Sequence, residues 1–153
     1  MFIAIDPGKN TGVATFHSDG SDLGRYTFHE EKFRLFMAGL IHVKGTVTFI
    51  LEDFRLVQGK ALEQTGSDMP APRVIGAMQM IDTILGDDSN IVYVKPGNLR
   101  TALKWAGYSE FANKPYGWHC PDDLSAYAHG VMYLIQQKLR PHPIFDAYKK
   151  NEG

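Results

Sequence analysis

Short apolar runs alternate with turn-forming segments along the first part of the chain. Residues 2–6 (FIAID) and 46–51 (TVTFIL) are continuously apolar and rich in β-branched residues, which predicts strands in the centre of a sheet. The stretches 11–16 and 24–28 predict two further strands, joined by the turn-rich segment HSDGSD. A fifth strand is predicted over residues 91–95, IVYVK.

Helical spacing of apolar residues predicts three longer helices. The first covers residues 30–43, and the second, PRVIGAMQMIDTIL, starts near Pro72 and stops at Gly86. The third begins at Pro121, a residue that suits the first turn of a helix, and runs until Pro141.

The connecting segments complete the predicted architecture. A short helix is expected after Pro96, and the stretch from Gly107 to His119 is expected to be irregular. The order is then β-β-β-α-β-α-β-α, an α/β protein with a five-stranded central sheet flanked by helices. A length of 153 residues with 44% hydrophobic content predicts a single domain, residues 1–153.

Composition excludes some kinds of site and predicts where in the cell the protein is located. The single cysteine, Cys120, excludes an internal disulfide and cannot alone form a zinc site. No apolar run approaches the ~20 residues of a membrane span, and no signal-peptide pattern is present, so we expect a soluble, cytoplasmic protein without a membrane partner.

Charge is distributed unevenly, although the net charge is only −1. Residues 1–94 carry 8 basic and 12 acidic side chains, whereas residues 95–153 carry 8 basic and 5 acidic ones. Ordinary surface charge would explain this distribution, and so would a basic face beside a carboxylate-rich pocket.

Acidic residues stand at the ends of three separate elements. Asp6 ends the first apolar run, Glu52 and Asp53 end another, and Asp122 and Asp123 open the last helix. Two carboxylates ~4 Å apart repel by about 4 kcal/mol at an effective dielectric near 20, so a cation must gather them if they meet. Oxygen ligands without a Cys/His cluster indicate Mg²⁺ or Mn²⁺, and a pair of such ions suits phosphodiester hydrolysis.

Each acidic segment also has a purely structural interpretation. Asp6-Pro7-Gly8 contains the usual residues of a turn, and Glu52-Asp53 suits a solvated strand end. Asp122 and Asp123 would be favoured by the helix dipole, which stabilises acids in a first turn by ~0.3–1 kcal/mol.

Four segments together resemble one known family. IAIDPGKNTGVA resembles the first strand and turn of RuvC-like Holliday junction resolvases, in which an acid precedes Pro-Gly and a second glycine opens the next strand. LEDF is similar to the acidic motif of their fourth strand, KPGNLR to a proline-containing segment after the fifth, and PDDLSAYAH to the acidic start of their last helix. The resemblance covers residues 2–135.

This resemblance implies an RNase H-like fold with a mixed five-stranded sheet, in which the first and fourth strands are parallel neighbours. It implies metal-dependent endonuclease activity on four-way (Holliday) DNA junctions, performed by a homodimer with a pair of Mg²⁺ or Mn²⁺ ions, in a bacterial cell or phage-infected host. The implied catalytic and metal-binding residues are Asp6, Glu52, Asp122 and Asp123.

The helix motif departs from the family pattern, because Ser125 stands where its final acid belongs. Asp122 fits either of two alignments of the motif, one of which begins at His119, a residue that would orient a water molecule or phosphate. A helical wheel instead favours Asp123, which flanks the apolar stripe and so lies nearer the sheet, with Asp122 nearly opposite. Both acids therefore remain candidates.

Basic and aromatic residues indicate where DNA would bind. The stretch 95–118 interleaves five aromatic residues with four cations, a combination that suits phosphates and unstacked bases. The glycine-containing loop after Glu52 could enter a junction with Phe54 as a wedge. The predicted DNA-binding residues are Phe54, Arg55, Lys60, Arg73, Lys95, Arg100, Lys104 and Lys114. Helix 122–135 is the expected dimer surface if a second apolar edge of it is exposed.

Three alternatives remain open. Another RNase H-like nuclease could act on branched DNA or RNA–DNA hybrids with the same metals. A catalytically inactive junction-binding protein is suggested by Ser125. A sugar-kinase or actin-like ATPase has a similar first strand and turn, but it needs a second domain to close over ATP.

Overall fold

A five-stranded mixed sheet forms the centre of the molecule. The computed structural model describes residues 1–53, 69–115 and 118–143. The strands form one sheet in the order β3-β2-β1-β4-β5, with bounds β1 Phe2–Asp6, β2 Asn10–Phe16, β3 Asp22–His29, β4 Val47–Glu52 and β5 Ser89–Val94. Strands β1, β2 and β3 pair antiparallel, whereas β4 is parallel to both β1 and β5. The predicted α/β class and five-stranded sheet are confirmed.

Helices cover both faces of this sheet. Their bounds are α1 Glu30–Leu40, α2 Pro70–Leu85, α3 Leu99–Trp105, α4 Ser109–Ala112 and α5 Asp122–Gln136, with short 3₁₀ turns at Gly86–Asp88 and Pro96–Asn98. Across the three described ranges, no helix is long and apolar enough to cross a membrane.

Two predicted boundaries in the helical segments were wrong. Helix α1 ends at Leu40 rather than at residue 43, because the amides of His42 and Val43 bond to carbonyls three residues earlier, both at 3.1 Å, and so close the last turn. The stretch predicted to be irregular contains α4, a single helical turn that is too short to produce a periodic pattern.

The last helix also ends earlier than predicted, at Gln136 rather than near Pro141. Lys138 adopts the left-handed conformation, with φ 61°. The amide of Lys138 bonds to the carbonyl of Ile135 at 3.0 Å, and the amide of Leu139 bonds to that of Leu134 at 2.9 Å. This is the Schellman arrangement, which satisfies the last carbonyls of the helix and turns the chain away.

Alternation along the strands divides the core into two faces. Ile3, Ile5 and their neighbours pack against α1 and α2, whereas Ala4 and Ile50 pack against α5. Helices α3 and α4 contact α5 from its other side. Because side chains two residues apart share a face, the next positions after Ala4 and Ile50 on the α5 face are Asp6 and Glu52.

Helix α5 is enclosed between the sheet and the two short helices. Ten of its fifteen residues are buried. It packs so closely on the sheet that a Cβ at Gly130 would lie 2.5 Å from the Phe16 ring. The second exposed apolar edge that would have made this helix a dimer surface is therefore not present, because that edge packs against α3 and α4.

Candidate functional site

The two strand-end acids lie side by side. In the parallel pairing of β1 with β4, Ile5 is opposite Leu51, so Asp6 and Glu52 follow as the next pair. Both stand at the carboxyl ends of neighbouring parallel strands, where side chains from distant parts of a chain converge. The sequence prediction that these two acids face each other agrees with this register.

A glycine brings the start of α5 up to the same edge. Gly12 on β2 is paired with Asp6, and a Cβ at Gly12 would overlap the main-chain carbonyl of Asp122. Since any larger residue would displace the helix, Gly12 sets the distance between the first turn of α5 and the strand-end acids. Asp122 and Ser125, three residues apart, then share the helix face that points to the sheet edge.

These side chains line one open cavity of about 670 Å³. Its polar walls include Asp6, Glu52, Asp122 and Ser125. Its rim includes residues that follow β1, the first residue of α3 and the segment before α5: Pro7, Gly8, Lys9, Asn10, Leu99, Trp118, His119 and Cys120. Asp123 does not line this cavity. Its Oδ2 lies 3.9 Å from Nε of Arg25 on β3.

The helical wheel favoured Asp123 as the acid nearer the sheet, and Asp123 does lie beside Arg25 of β3, but it is Asp122 that lines the cavity with the strand-end acids. The wheel assumed that one apolar stripe marks the side facing the sheet, but α5 packs against the sheet on one side and against α3 and α4 on another. The structure places Asp122 at the cavity, as the motif alignments favoured.

Burial changes the ionisation of both strand-end acids. Burial raises the pKa of Asp6 to about 6, and repulsion from Asp122 adds to this, while hydrogen bonding with Ser125 and Glu52 partly opposes it. Burial likewise raises the pKa of Glu52 to about 8, assisted by the charge of Asp6 and by a hydrogen bond to it. Near pH 7 the pair therefore holds one carboxylate and one carboxylic acid that share a proton.

Burial in the same cavity also shifts the pKa values of the neighbouring residues Asp122 and Cys120. Burial also raises the pKa of Asp122, although His119 opposes the shift. Burial, together with the charges of Asp6 and the other nearby acids, raises the pKa of the Cys120 thiol to about 12, so this cysteine stays protonated. Ser125 is buried, and its side chain hydrogen-bonds with Asp6 where the family pattern would have a third acid.

Sequence reasoning missed His129, which is buried one turn beyond Ser125 on α5. Its Nδ1 lies 3.5 Å from Oε2 of Glu52, a distance too long for a good hydrogen bond, and among the described residues neither ring nitrogen has a well-aligned partner, although a contact with the Ser125 backbone partly opposes the lowering of its pKa. Burial lowers the pKa of His129 to about 4, so the ring is neutral at pH 7. The available signal was its spacing, seven residues after Asp122 on the same helix face.

The predicted accessory and DNA-binding residues fall into four groups. His119 lies on the cavity rim, with Nδ1 2.8 Å from the Cys120 carbonyl oxygen. Arg73 on α2 does not line the cavity; it lines a separate depression that also includes Gly8, and it forms an ion pair of 3.0 Å with Glu30. Lys95, Arg100, Lys104 and Lys114 are all exposed, and of these Arg100 and Lys114 line a depression next to the cavity. Phe54, Arg55 and Lys60 lie outside the described residues.

The donor chemistry of the cavity fits a hard divalent cation. Mg²⁺ commonly binds through one or two carboxylates, several waters and substrate phosphate oxygens, and the paired Asp6 and Glu52 offer such carboxylates. Within the part of the chain that the structure describes, no three His, Cys, Asp or Glu side chains are grouped so as to hold an ion by themselves. Asp122 is the third acid that lines the same cavity.

Comparisons with known proteins add no family assignment. A scan against protein-family models gives no match to this chain, and a search of curated proteins finds no matching relative. The geometry of the cavity is therefore the basis for any functional conclusion.

Proposed function

We propose that this protein is a divalent-metal-dependent endonuclease with an RNase H-like fold that cleaves four-way DNA junctions. The observation that carries the proposal is the adjacent pair Asp6 and Glu52, held at the carboxyl ends of parallel strands with raised pKa values and faced by Asp122. Buried carboxylates that share a proton are expensive for a fold to keep, and such groups concentrate at functional sites.

Replacement of the shared proton by a cation would relieve the repulsion between these acids. Asp6 and Glu52 would hold the metal, with Asp122 across the cavity as a further ligand and Asp123 outside it. A pair of bound Mg²⁺ or Mn²⁺ ions supplies electrostatic stabilisation of the attacking and leaving oxygens in phosphodiester hydrolysis. Ser125 would orient Asp6 through its hydroxyl, and His119 is available at the rim for a phosphate.

The surroundings of the cavity favour a polyanionic substrate. Lys9 lines the cavity itself, and Arg100 and Lys114 line an adjoining depression. These cations flank the acids rather than neutralise them, an arrangement suited to phosphates on either side of a scissile bond. Because phosphate contacts of this kind depend on counterion release, DNA affinity should fall steeply as salt rises.

A nicking assay tests the proposal. Synthetic four-way junctions, linear duplex and RNA–DNA hybrid are incubated with the protein in Mg²⁺, Mn²⁺ or EDTA. We expect metal-dependent nicking of the junction, loss of nicking in Asp6→Asn and Glu52→Gln, and retained junction binding in both variants. Asp87→Asn and Glu31→Gln carry the same replacements at exposed positions and serve as matched controls.

Two outcomes would replace the proposal with an alternative. Preferential cleavage of the hybrid would indicate a different RNase H-like nuclease. Junction binding without cleavage in either metal would indicate an inactive junction-binding protein, which the presence of Ser125 in place of an acid favours. A homodimer is part of the proposal, and sedimentation of the protein with and without a junction tests it.

A further inference from the structure

A second cavity adjoins the carboxylate cavity. It measures about 240 Å³ and shares three wall residues with its larger neighbour, Leu99, Trp118 and Cys120. The remaining described lining comes from α3, α4 and the segment after α4. A ligand held at the strand-end acids could therefore extend into this second cavity without leaving the protein surface.

The walls of this cavity combine aromatic surface with positive charge. The rings of Phe111 and Trp118 lie 5.5 Å apart between centroids, tilted by 32°, and Leu103 is buried behind them. Arg100 and Lys114 are exposed at its edge. Among the described lining residues none is acidic, in contrast to the neighbouring cavity.

We propose that this cavity, the base slot, receives one unpaired nucleobase from the DNA strand whose phosphate lies at Asp6 and Glu52. This inference rests on the proposed nuclease function. A flat base would stack on Trp118, while Arg100 and Lys114 contact the phosphates that flank it. The described lining offers no acidic side chain to a cationic or peptide ligand, whereas a nucleotide can use both the ring surface and the cations.

The lining also predicts how the base slot selects its ligand. The described walls contain no buried polar side chain that could read the edge of a base, since the Cys120 thiol is a weak donor. Recognition by stacking tolerates any base. The base slot should therefore select DNA in which a base is already unpaired, as at a branch point, with little preference for its identity.

Tryptophan fluorescence tests the base slot directly, because the chain has two tryptophans and Trp105→Phe leaves Trp118 as the single emitter. The background variant also carries Asp6→Asn to prevent cleavage. Titration with a four-way junction containing one unpaired thymine at the branch should quench Trp118 emission, and a fully paired linear duplex should quench it far less. Binding is followed in parallel by anisotropy of labelled DNA.

A second comparison measures the contribution of stacking. Trp118→Ala should weaken binding of the junction with the unpaired base by about 5- to 150-fold, the range for loss of one stacked base, and Trp118→Phe should restore most of it. Binding with unchanged Trp118 emission would overturn the base slot even if wild-type protein nicks junctions. Quenching by DNA in the absence of nicking by wild-type protein would uphold the base slot and refute the nuclease.

Discussion

Replacement of Glu52 by glutamine should make the metal-free protein more stable at neutral and alkaline pH. Glutamine imitates the protonated carboxylic acid that the wild-type protein holds next to Asp6. In wild-type protein the folded chain keeps this proton up to a pKa of about 8, whereas the unfolded chain releases it near the ordinary value of 4.5. Between these values the folded state binds more protons, so its stability falls as pH rises.

The size of the effect follows from the width of this window. From pH 5 to pH 8 the unfolded chain is mostly ionised at Glu52, whereas the folded chain is protonated until it reaches half ionisation near pH 8. The slope is ~1.4 kcal/mol per pH unit in the middle of this range and smaller at its two ends, so the total is about 3–4 kcal/mol. Glu52→Gln does not titrate and loses none of this. The stability difference between the variant and wild type should therefore widen by that amount.

Urea unfolding in EDTA at several pH values measures the difference. Subtracting the free energy of unfolding of wild type from that of Glu52→Gln removes most of the contribution of groups that titrate in both proteins. His129 is one of these groups, since its lowered pKa destabilises the fold as pH falls from 6.5 towards about 4. Glu31→Gln, on exposed α1 surface, should show no such pH dependence. An equal stability advantage of Glu52→Gln at pH 5 and pH 8 would refute the argument that burial holds a proton on Glu52.

Three further predictions concern α5 and its contacts. Asp122→Asn should lower the rate of junction nicking by about 10-fold or more, whereas Asp123→Asn, which alters a residue outside the cavity, should leave the rate largely unchanged. A larger loss of nicking in Asp123→Asn than in Asp122→Asn would show that Asp123 is the functional acid. Gly12→Ala should lower the free energy of unfolding, measured in urea, by ~1–3 kcal/mol because the new Cβ overlaps the Asp122 carbonyl. The control Gly76→Ala, on the exposed surface of α2, should raise the free energy of unfolding by about 1 kcal/mol because alanine favours the helix more than glycine does. His129→Leu should raise the free energy of unfolding of the metal-free protein by ~1–3 kcal/mol by removing a buried imidazole that lacks a well-aligned hydrogen bond. A loss of stability instead would show that its contacts with Glu52 and the Ser125 backbone stabilise the fold.

The sequence predicted the central strands well because their hydrophobic runs have sharp ends. Strand β1 matches its predicted span, and β4 differs by one residue at each end, since Pro7 and the acids after residue 51 interrupt the apolar pattern. Helix ends were less predictable. The end of α5 is set by the left-handed conformation of Lys138, a residue that does not normally favour it, so its identity gave no warning.

The acids of the candidate site were predictable to different degrees. The meeting of Asp6 and Glu52 follows from two parallel strands that end in acids, which sequence order alone suggests. The choice between Asp122 and Asp123 depends on how α5 is rotated, and packing on two sides determines that rotation. The only signal for His129 was its seven-residue spacing from Asp122, and that signal is weak because a single histidine in an apolar helix usually belongs to the core.

The contacts of the acids differ from those that a turn, a solvated strand end or a helix dipole would require. If Asp6 served only to stabilise the turn after β1, its side chain would hydrogen-bond to main-chain groups of that turn. The turn is instead held by the Thr11 hydroxyl, which donates to the Gly8 carbonyl at 3.1 Å, and Asp6 interacts with Ser125 and Glu52. Glu52 is not a solvated strand end, since burial raises its pKa. The helix-dipole explanation needs only one acid in the first turn, and Asp123 already supplies it at the surface. A fold under selection for stability alone would gain by losing the buried pair, and for that reason the proposed function assigns a bound cation to those carboxylates.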